Sequence, residues 1–546
     1  MNVHGLLNHK TKTVGAAAGI LAVSSLLSRF LGVARDWLLA KSFGAGADLD
    51  VYFAAFKIPD FIYNILILGG VLVAFLPLFS EYFSKDEKEA WDFTSNCMNT
   101  FLFLLILISV FLFIFTPQLI KLIAPGFNYE QIQKTILLTR IMFLSPIFFS
   151  LSSVFSGILQ YFNRFLVYSL CPILYNLGII FGIIVLSPRF GILGVGLGVV
   201  FGAFIYFAIQ IPSVLNCGFK YRAILNFKDV KIKRIFTLMM PRIFGVSVQQ
   251  INLIIINAIA STLTTGSISV FNFANNIRFF PIGIIGISFA TAVFPSLSRN
   301  WAENEKDKFI RSFSSVFRQI LYLIIPISVL IFILKNQIVE IILSHGQFSD
   351  SAAKLTAASL GLFCFGLFGS ALITLFFRAF FSLRDTVTPT LIALIAMGIN
   401  IGLSFFFTQA LRFSTCFNLQ RFFRNVFFLQ EVNDISVLGL PLAVSISTFF
   451  QFVLLFFFLK RKIGDFGFKK ISMSFYRILI SVVLLIIVVY PVSLFISRMG
   501  ALWQMVIIGF IGSLTYLLST LVLGSPEVKV IKSLLLEKFF SKRNYA

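Results

Sequence analysis

Charge is scarce in this chain, and acid is scarcer than base. Of 546 residues 12% are charged, and 22 aspartates and glutamates stand against 45 lysines and arginines, a net charge of +23. Histidine occurs only at His4, His9 and His345, too scattered to make a ligand cluster. The five cysteines, Cys97, Cys171, Cys217, Cys364 and Cys416, show no C-x-x-C spacing, so neither a metal site nor a disulfide framework is indicated. The GAG at Gly44–Gly46 lacks the Lys-Ser/Thr of a phosphate-binding loop and reads as a flexible turn. With no nucleophile elbow and no nucleotide motif either, the chain reads as non-enzymatic, without metal or cofactor. Coupling to the membrane potential or to a cation stays open.

What the chain has instead is apolar surface. It is 58% hydrophobic, with 70 phenylalanines and a mean hydropathy of +0.94. A soluble fold cannot hide that much with so few charges, whereas a polytopic helical membrane protein need not. Apolar runs of roughly 20 residues, enough to span a bilayer, recur from end to end. They predict about fourteen helices, near 14–39, 50–79, 96–115, 135–161, 165–186, 191–215, 235–261, 267–297, 313–334, 355–381, up to 409, 437–458, 476–496 and 502–523. Pro117 and the PGF at Pro125 to Phe127 mark a loop after the third. Lys10 and Lys12 ahead of the first run read as the start of a helix and not as a cleavable signal peptide.

In a soluble domain the positive charge would suggest nucleic acid, but no such domain is left to carry it. Lys and Arg gather in short loops, above all Lys220 to Arg234, LKRKIGDFGFKK and the tail from Lys529. Under the positive-inside rule these loops and both termini are cytoplasmic, where they also meet anionic lipid heads. The mixed-charge stretch Glu81–Glu89 reads as an ordinary solvated loop. The segment 411–434, with Arg412, Arg421 and Arg424 among phenylalanines on the expected outer face, is either an interfacial amphipathic helix or an inserted excursion.

Ionic residues inside the spans are the main functional signal. Arg29, Arg35 and Asp36 lie in the first helix, and Asp50, Lys57 and Asp60 enter the second. Charges at such depth normally face protein or a water-filled cavity. The expectation is a polar cavity that moves an ionic substrate, with Asp36, Asp50, Lys57 and Arg242 in gating or structural roles. Arg278, near Pro281, and Asn276 are further candidates for the substrate-binding cavity. Pro59 and Pro281 are sites for helix bending, as are Gly69 and Gly70.

The halves echo each other. FKIPDFIYNILILGGVLVAFLPLFSEYF and IRFFPIGIIGISFATAVFPSLSRNW close on Pro77 and Pro295, while LQYFNRFLVYSLCP and FRAFFSLRDTVTP end on Pro172 and Pro389. The nearly constant offset predicts two parallel six-helix lobes followed by two C-terminal helices. The expected domains are 1–219, 220–460 and 461–546.

SRFLGVARDWLLAKSFGAGADLDVYFAAFKIP, PRIFGVSVQQINL, GISFATAVFPSLSR and FFRAFFSLRDTVTPT resemble the signature segments of the MurJ/MviN lipid II flippases. These form part of the multidrug/oligosaccharidyl-lipid/polysaccharide (MOP) exporter superfamily, whose MATE-like fold the resemblance implies. It further implies a bacterial plasma-membrane protein, and lipid II as partner, flipped from the inner to the outer leaflet, beside membrane lipids and cell-wall synthesis machinery. Arg29 and Arg35 match cavity arginines of that family, and Asp50 matches its acidic residue at the start of helix 2. Other family charges are missing: Tyr63, Leu68, Asn276 and Ile256 stand at those positions, with Arg278 two residues past Asn276. They keep alternatives open: an exporter of another lipid-linked saccharide, a drug/cation antiporter of the superfamily, or a non-transporting cell-wall scaffold.

Overall fold

The computed structural model describes residues 14–65, 72–412 and 417–528. Leu68, Gly69, Gly70 and the basic tail from Lys529 lie outside the described residues. Secondary structure is helical throughout the described residues. Eleven of the helices there are long and apolar enough to cross a membrane, or twelve if Val230–Met240 and Gly245–Ser261, which meet at 56°, form one span. Two compact units result, one holding residues up to Ser269 together with His345–Ser349, the other Val270–Ser344 with the chain from Asp350 on.

The first unit is built from the helices Val14–Phe43, Ala47–Ile62, Leu72–Phe83, Glu87–Ile123, Tyr129–Met142, Leu144–Tyr161, Phe165–Phe181, Ile192–Ala208 and Val230–Ser261, with shorter helical turns between. Its core is aromatic, with Phe75, Phe79, Trp91 and Phe93 packed ring on ring. Phe165–Phe181 and Ile192–Ala208 approach so closely that a Cβ on Gly178 would run into the backbone of Gly202, which is the role of small residues between membrane helices.

Pro117 does not end its helix, contrary to the sequence expectation. Glu87–Ile123 runs through it. Proline removes the N–H that would bond the carbonyl four residues back, at Phe113. That carbonyl instead accepts from the Thr116 hydroxyl at 3.0 Å and from Arg140 Nε at 3.3 Å. Neighbouring side chains satisfy the freed group, as an apolar surrounding demands. Pro59 is handled likewise: it lies inside Ala47–Ile62, and Thr139 donates to the Ala55 carbonyl at 3.3 Å. Beyond it the helix widens into a π turn at Tyr63–Ile65.

Nor is Glu81–Glu89 merely solvated. Arg234 pairs with Glu81 at 2.9 Å, Lys231 with Glu89 at 2.6 Å and Arg222 with Asp92 at 2.7 Å. Asn96 and Asn99 also hold the backbone of Asn226 and Ile224. The basic stretch and the acidic one therefore close over the same end of this unit.

The second unit centres on Asp350–Ser382, packed against Ser288–Ala302, Lys306–Ile333 and Gly439–Ile463. Ser267–Pro281, which begins in the first unit, passes at Pro281 into a π-helical stretch, Ile282–Ile287, the local widening expected where proline interrupts the ladder. Pro172 lies well inside Phe165–Phe181, whereas Pro389 stands in the first turn of Val387–Arg412. The turns just before these helices are alike: Asn163 and Arg384 have φ of 58° and 57°, and Arg164 N bonds Leu159 O as Asp385 N bonds Phe380 O. Burial alone would raise the Asp385 carboxyl. Bonds from Lys462 Nζ at 2.7 Å and Thr388 N at 3.0 Å outweigh it and hold the group below the usual carboxylate range.

The last two helices, Phe468–Phe495 and Ala501–Val522, dock on Lys306–Ile333 through buried polar bonds. Tyr516 donates to the Tyr322 carbonyl at 2.8 Å, and Arg318 pairs with Glu527 at 2.6 Å, the Glu527 side chain being 2% exposed. Removing one member of a buried pair strands the other charge, at a cost of about 3–5 kcal/mol. Glu527→Ala is expected to lower the thermal unfolding midpoint of the detergent-purified protein, and the double variant Arg318→Met/Glu527→Leu to recover most of the loss. An unchanged midpoint in Glu527→Ala would show the pair to be idle.

Candidate functional site

The intramembrane charges of the first unit converge. Arg35, in Val14–Phe43, donates to Asp36 Oδ1 from Nε at 3.1 Å and from Nη2 at 2.8 Å. Its Nη1 reaches Asn176 Oδ1 at 3.3 Å, on Phe165–Phe181. Asn176 in turn donates to Pro172 O at 3.0 Å and to Ser28 O at 3.3 Å. With Ser24 bonded to Ser169 at 3.0 Å, the first helix is fastened to Phe165–Phe181 along its length. The guanidinium is thereby held in one orientation with its side chain 24% exposed. A fork fixed in this way is preorganised to take a phosphate or carboxylate.

Lys57 and Asp60 stand one turn apart on Ala47–Ile62, and Asp60 lies within electrostatic reach of both Lys57 and Arg35. Tyr52 and Tyr175 lie within electrostatic reach of both Arg35 and Asp60, and Tyr63 of Asp60. Arg35 and Lys57 are therefore balanced by Asp36 and Asp60, and Arg29 lies half-buried on the same first helix as Arg35. The sequence pointed to a polar cavity; this group is a near-neutral charge cluster. Asn176 is the member that sequence reasoning left out of the site. It was marked by being a lone amide in an apolar helix.

At Tyr63 the ring packs 4.7 Å from Phe149, which also meets Tyr175 and Tyr206 at 5.1 and 5.3 Å. Tyr63 thus belongs to an aromatic cluster. Ile256 is likewise fully buried apolar surface.

Asp50 does not pair with Arg35. Its carboxylate is 3% exposed and accepts from Gly266 N at 2.6 Å, Ser269 N at 2.9 Å and Ser269 Oγ at 2.6 Å. It thus caps, from a distant part of the chain, the first turn of the helix that begins at Ser267, where a negative charge is favoured. The GAG turn beside it is a packed joint. Gly44 adopts φ +63° against the backbone of Gln347, Gly266 adopts φ +95° against Ala45, and Gln347 N bonds Lys41 O at 3.1 Å. Side chains at these glycines would strike backbone, which is why glycine stands there.

The second-unit candidates separate. Arg278 is 9% exposed and lies over the Phe363 ring at 4.5 Å, while Asn276 is exposed, as expected for positions about 200° apart on a helix. Arg278 and Asn276 therefore face different surroundings. Arg242 falls within Val230–Ser261 at the break between its two straight parts, and its side chain lies outside the described residues.

The family model described as Lipid II flippase MurJ matches residues 39–511. A probable lipid II flippase MurJ from Buchnera aphidicola subsp. Schizaphis graminum is 31% identical over 492 residues, covering 86% of this chain and 95% of the relative. One from Vibrio cholerae is 30% identical over 400 residues, covering 71% and 76%. A solved lipid II flippase MurJ in an inward closed conformation superposes with a TM-score of 0.74 at 25% identity, covering 92% of this chain and 98% of its own. An inward-facing MATE transporter of the MOP superfamily shares the fold, with a TM-score of 0.65 at 13% identity over 82% of this chain.

Proposed function

Since the chain belongs to the lipid II flippase MurJ family, we propose that it moves lipid-linked peptidoglycan precursor from the cytoplasmic to the outer leaflet of the bacterial plasma membrane by alternating access. It is a transporter, not an enzyme. The observation that carries the reading is the guanidinium of Arg35, oriented by Asp36 and Asn176 among membrane helices. Lipid II presents a pyrophosphate and peptide carboxylates, both of which a planar five-donor fork can grip. Arg29 and Arg35 are six residues apart, about 9 Å along a helix, so they hold different parts of a large head group. Asp36 and Asp60 occupy the cations while no substrate is present, and an incoming phosphate replaces them.

In this reading the chain has fourteen spans, with 14–43 and the broken pair 47–62 and 72–83 adding two to the twelve that length and composition identify. Two six-helix lobes, 1–219 and 220–460, are related by a parallel repeat, and 461–546 supplies the last two helices with both termini cytoplasmic. The matching turns at Asn163 and Arg384 support the repeat, and the ion-paired basic loop at 222–234 supports the orientation. Asp50 serves as a gate fastening, and Asn276 and Arg278 have different duties in the second lobe.

The test is complementation of a conditional flippase-depletion strain, scored as lipid II accessible at the cell surface. Restoration of growth and exposure together is expected. Normal membrane insertion without restored exposure would sink the flippase reading in favour of another cargo.

A further inference from the structure

The unit that begins at Val270 carries an opening that transport by the charged cluster does not use. It is a groove of about 410 Å³ lined chiefly by rings and aliphatic chains, including Phe332, Leu362, Phe365, Phe422, Phe427 and Phe449. One wall is the short helix Phe417–Phe427, within the 411–434 excursion of the sequence. The one hydroxyl in the lining, Ser445 Oγ, already donates to Leu362 O at 2.8 Å. A sugar or a peptide bound here would leave its polar groups unmatched, whereas a hydrocarbon chain would not.

A cation stands at the edge of this apolar surface. Lys335 Nζ lies 4.9 Å from the centre of the Phe332 ring and 5.8 Å from that of Phe427, both of them groove residues. Gly361 makes room for it: a Cβ there would come within 3.0 Å of both Lys335 Cδ and Phe427. Lys335 is half-buried, and no carboxylate lies within ion-pair distance of it among the described residues. Asp350 and Glu431, acids of the same unit, are both taken by Lys354, at 2.9 and 2.8 Å. The short helix adds Arg421, which is exposed, and Arg424, which closes its own loop by donating to the carbonyls of Leu429 and Asn433. It carries no acid. Phe423 and Phe427 are buried beneath it, while Phe422 and Val426 are exposed. Basic residues beside an aromatic face are the pattern of a helix lying in the membrane interface.

We propose that this groove is a binding site for a single anionic glycerophospholipid, with an acyl chain along the rings and its phosphate against Lys335. The uncompensated positive charge selects an anionic head over a zwitterionic one, and the apolar lining selects a lipid over free phosphate. The excursion at 411–434 then has a purpose: it supplies the wall that turns an open helix face into a chain-wide slot. This site is separate from the charged cluster of the first unit, and its occupancy can be measured without transport.

The experiment is native mass spectrometry of the full-length protein in detergent, titrated with phosphatidylglycerol or with phosphatidylcholine of the same chains. Wild type is expected to retain phosphatidylglycerol severalfold better. Lys335→Gln should lower that retention about fivefold, the worth of one cation near an anionic head group, and leave phosphatidylcholine unaffected. Val426→Trp, which fills the groove, should lower both. Thermal midpoints of each variant establish that it is folded. In wild type, a phosphatidylglycerol with a photoactivatable acyl chain should label the peptide containing Phe422–Phe427. Equal retention of the two lipids by wild type, labelling confined to other peptides, or retention unmoved by both substitutions overturns the proposal.

Discussion

Arg35→Ala is expected to reduce surface-exposed lipid II more than tenfold in the complementation assay while the protein still reaches the membrane. A charge-assisted hydrogen bond is worth about 1.5–3 kcal/mol, and a phosphate gripped by a fork loses at least one when the guanidinium is removed. Arg35 also has a structural duty, because Asp36 and Asn176 both accept from it. The two duties can be separated. Asn176→Ala removes the tie between Phe165–Phe181 and the first helix but leaves the guanidinium, so it should lower thermal stability by about 1–3 kcal/mol and spare most transport. Arg35→Lys keeps the charge without the planar fork and should fall between wild type and Arg35→Ala in transport. Asp60→Asn, by removing a carboxylate that competes for the same cations, should tighten binding of the anionic head group and slow its release. If Arg35→Ala and Asn176→Ala lose transport equally and in step with stability, Arg35 is only a fastening.

Much of this was legible in the sequence because hydrophobicity and charge are unusually well separated here. The spans follow from runs such as FLFLLILISVFLFIF, where no soluble fold is an alternative. Arg29, Arg35, Lys57 and Asp50 stood out because an ion in such a run needs a reason. What stayed hidden was partnership. Asp50 and Arg35 could be paired on paper, yet Asp50 caps a turn more than two hundred residues away, at Gly266 and Ser269. No local pattern encodes that. Pro117 read as a terminator because proline usually is one, and the hydroxyl of Thr116 and the guanidinium of Arg140 that rescue its helix lie on two different elements. The surroundings of Asp60 were hidden for a related reason: an acid beside a lysine looks like an ordinary pair until the tyrosines near it are placed. The pairing of Arg318 with Glu527 spans most of the second unit and leaves no trace in either segment.

Asp50→Ala should release the joint between the GAG turn and the first turn of the helix at Ser267. The carboxylate accepts three bonds there, two of them from backbone N–H groups, and no water is available to replace it at 3% exposure. Each buried donor left without an acceptor costs about 1–3 kcal/mol, and the favourable charge at the helix start is lost as well. Asp50→Asn is only a partial substitute, since one of its two terminal atoms becomes a donor facing donors. Gly44 and Gly266 bring backbone against backbone at positive φ in the same joint. A cysteine placed at Ala45 reads the outcome directly. Its labelling by a membrane-impermeant thiol reagent is expected to speed up at least tenfold in Asp50→Ala, since about 1.4 kcal/mol suffices for that factor. Asp48→Ala is the control: this half-exposed acid pairs only with Lys134 at 3.3 Å, a surface contact worth at most about 1 kcal/mol. Its labelling should stay close to wild type. Should Asp50→Ala label no faster than Asp48→Ala, the buried carboxylate is not what fastens this joint, and the close glycine contacts alone keep it shut.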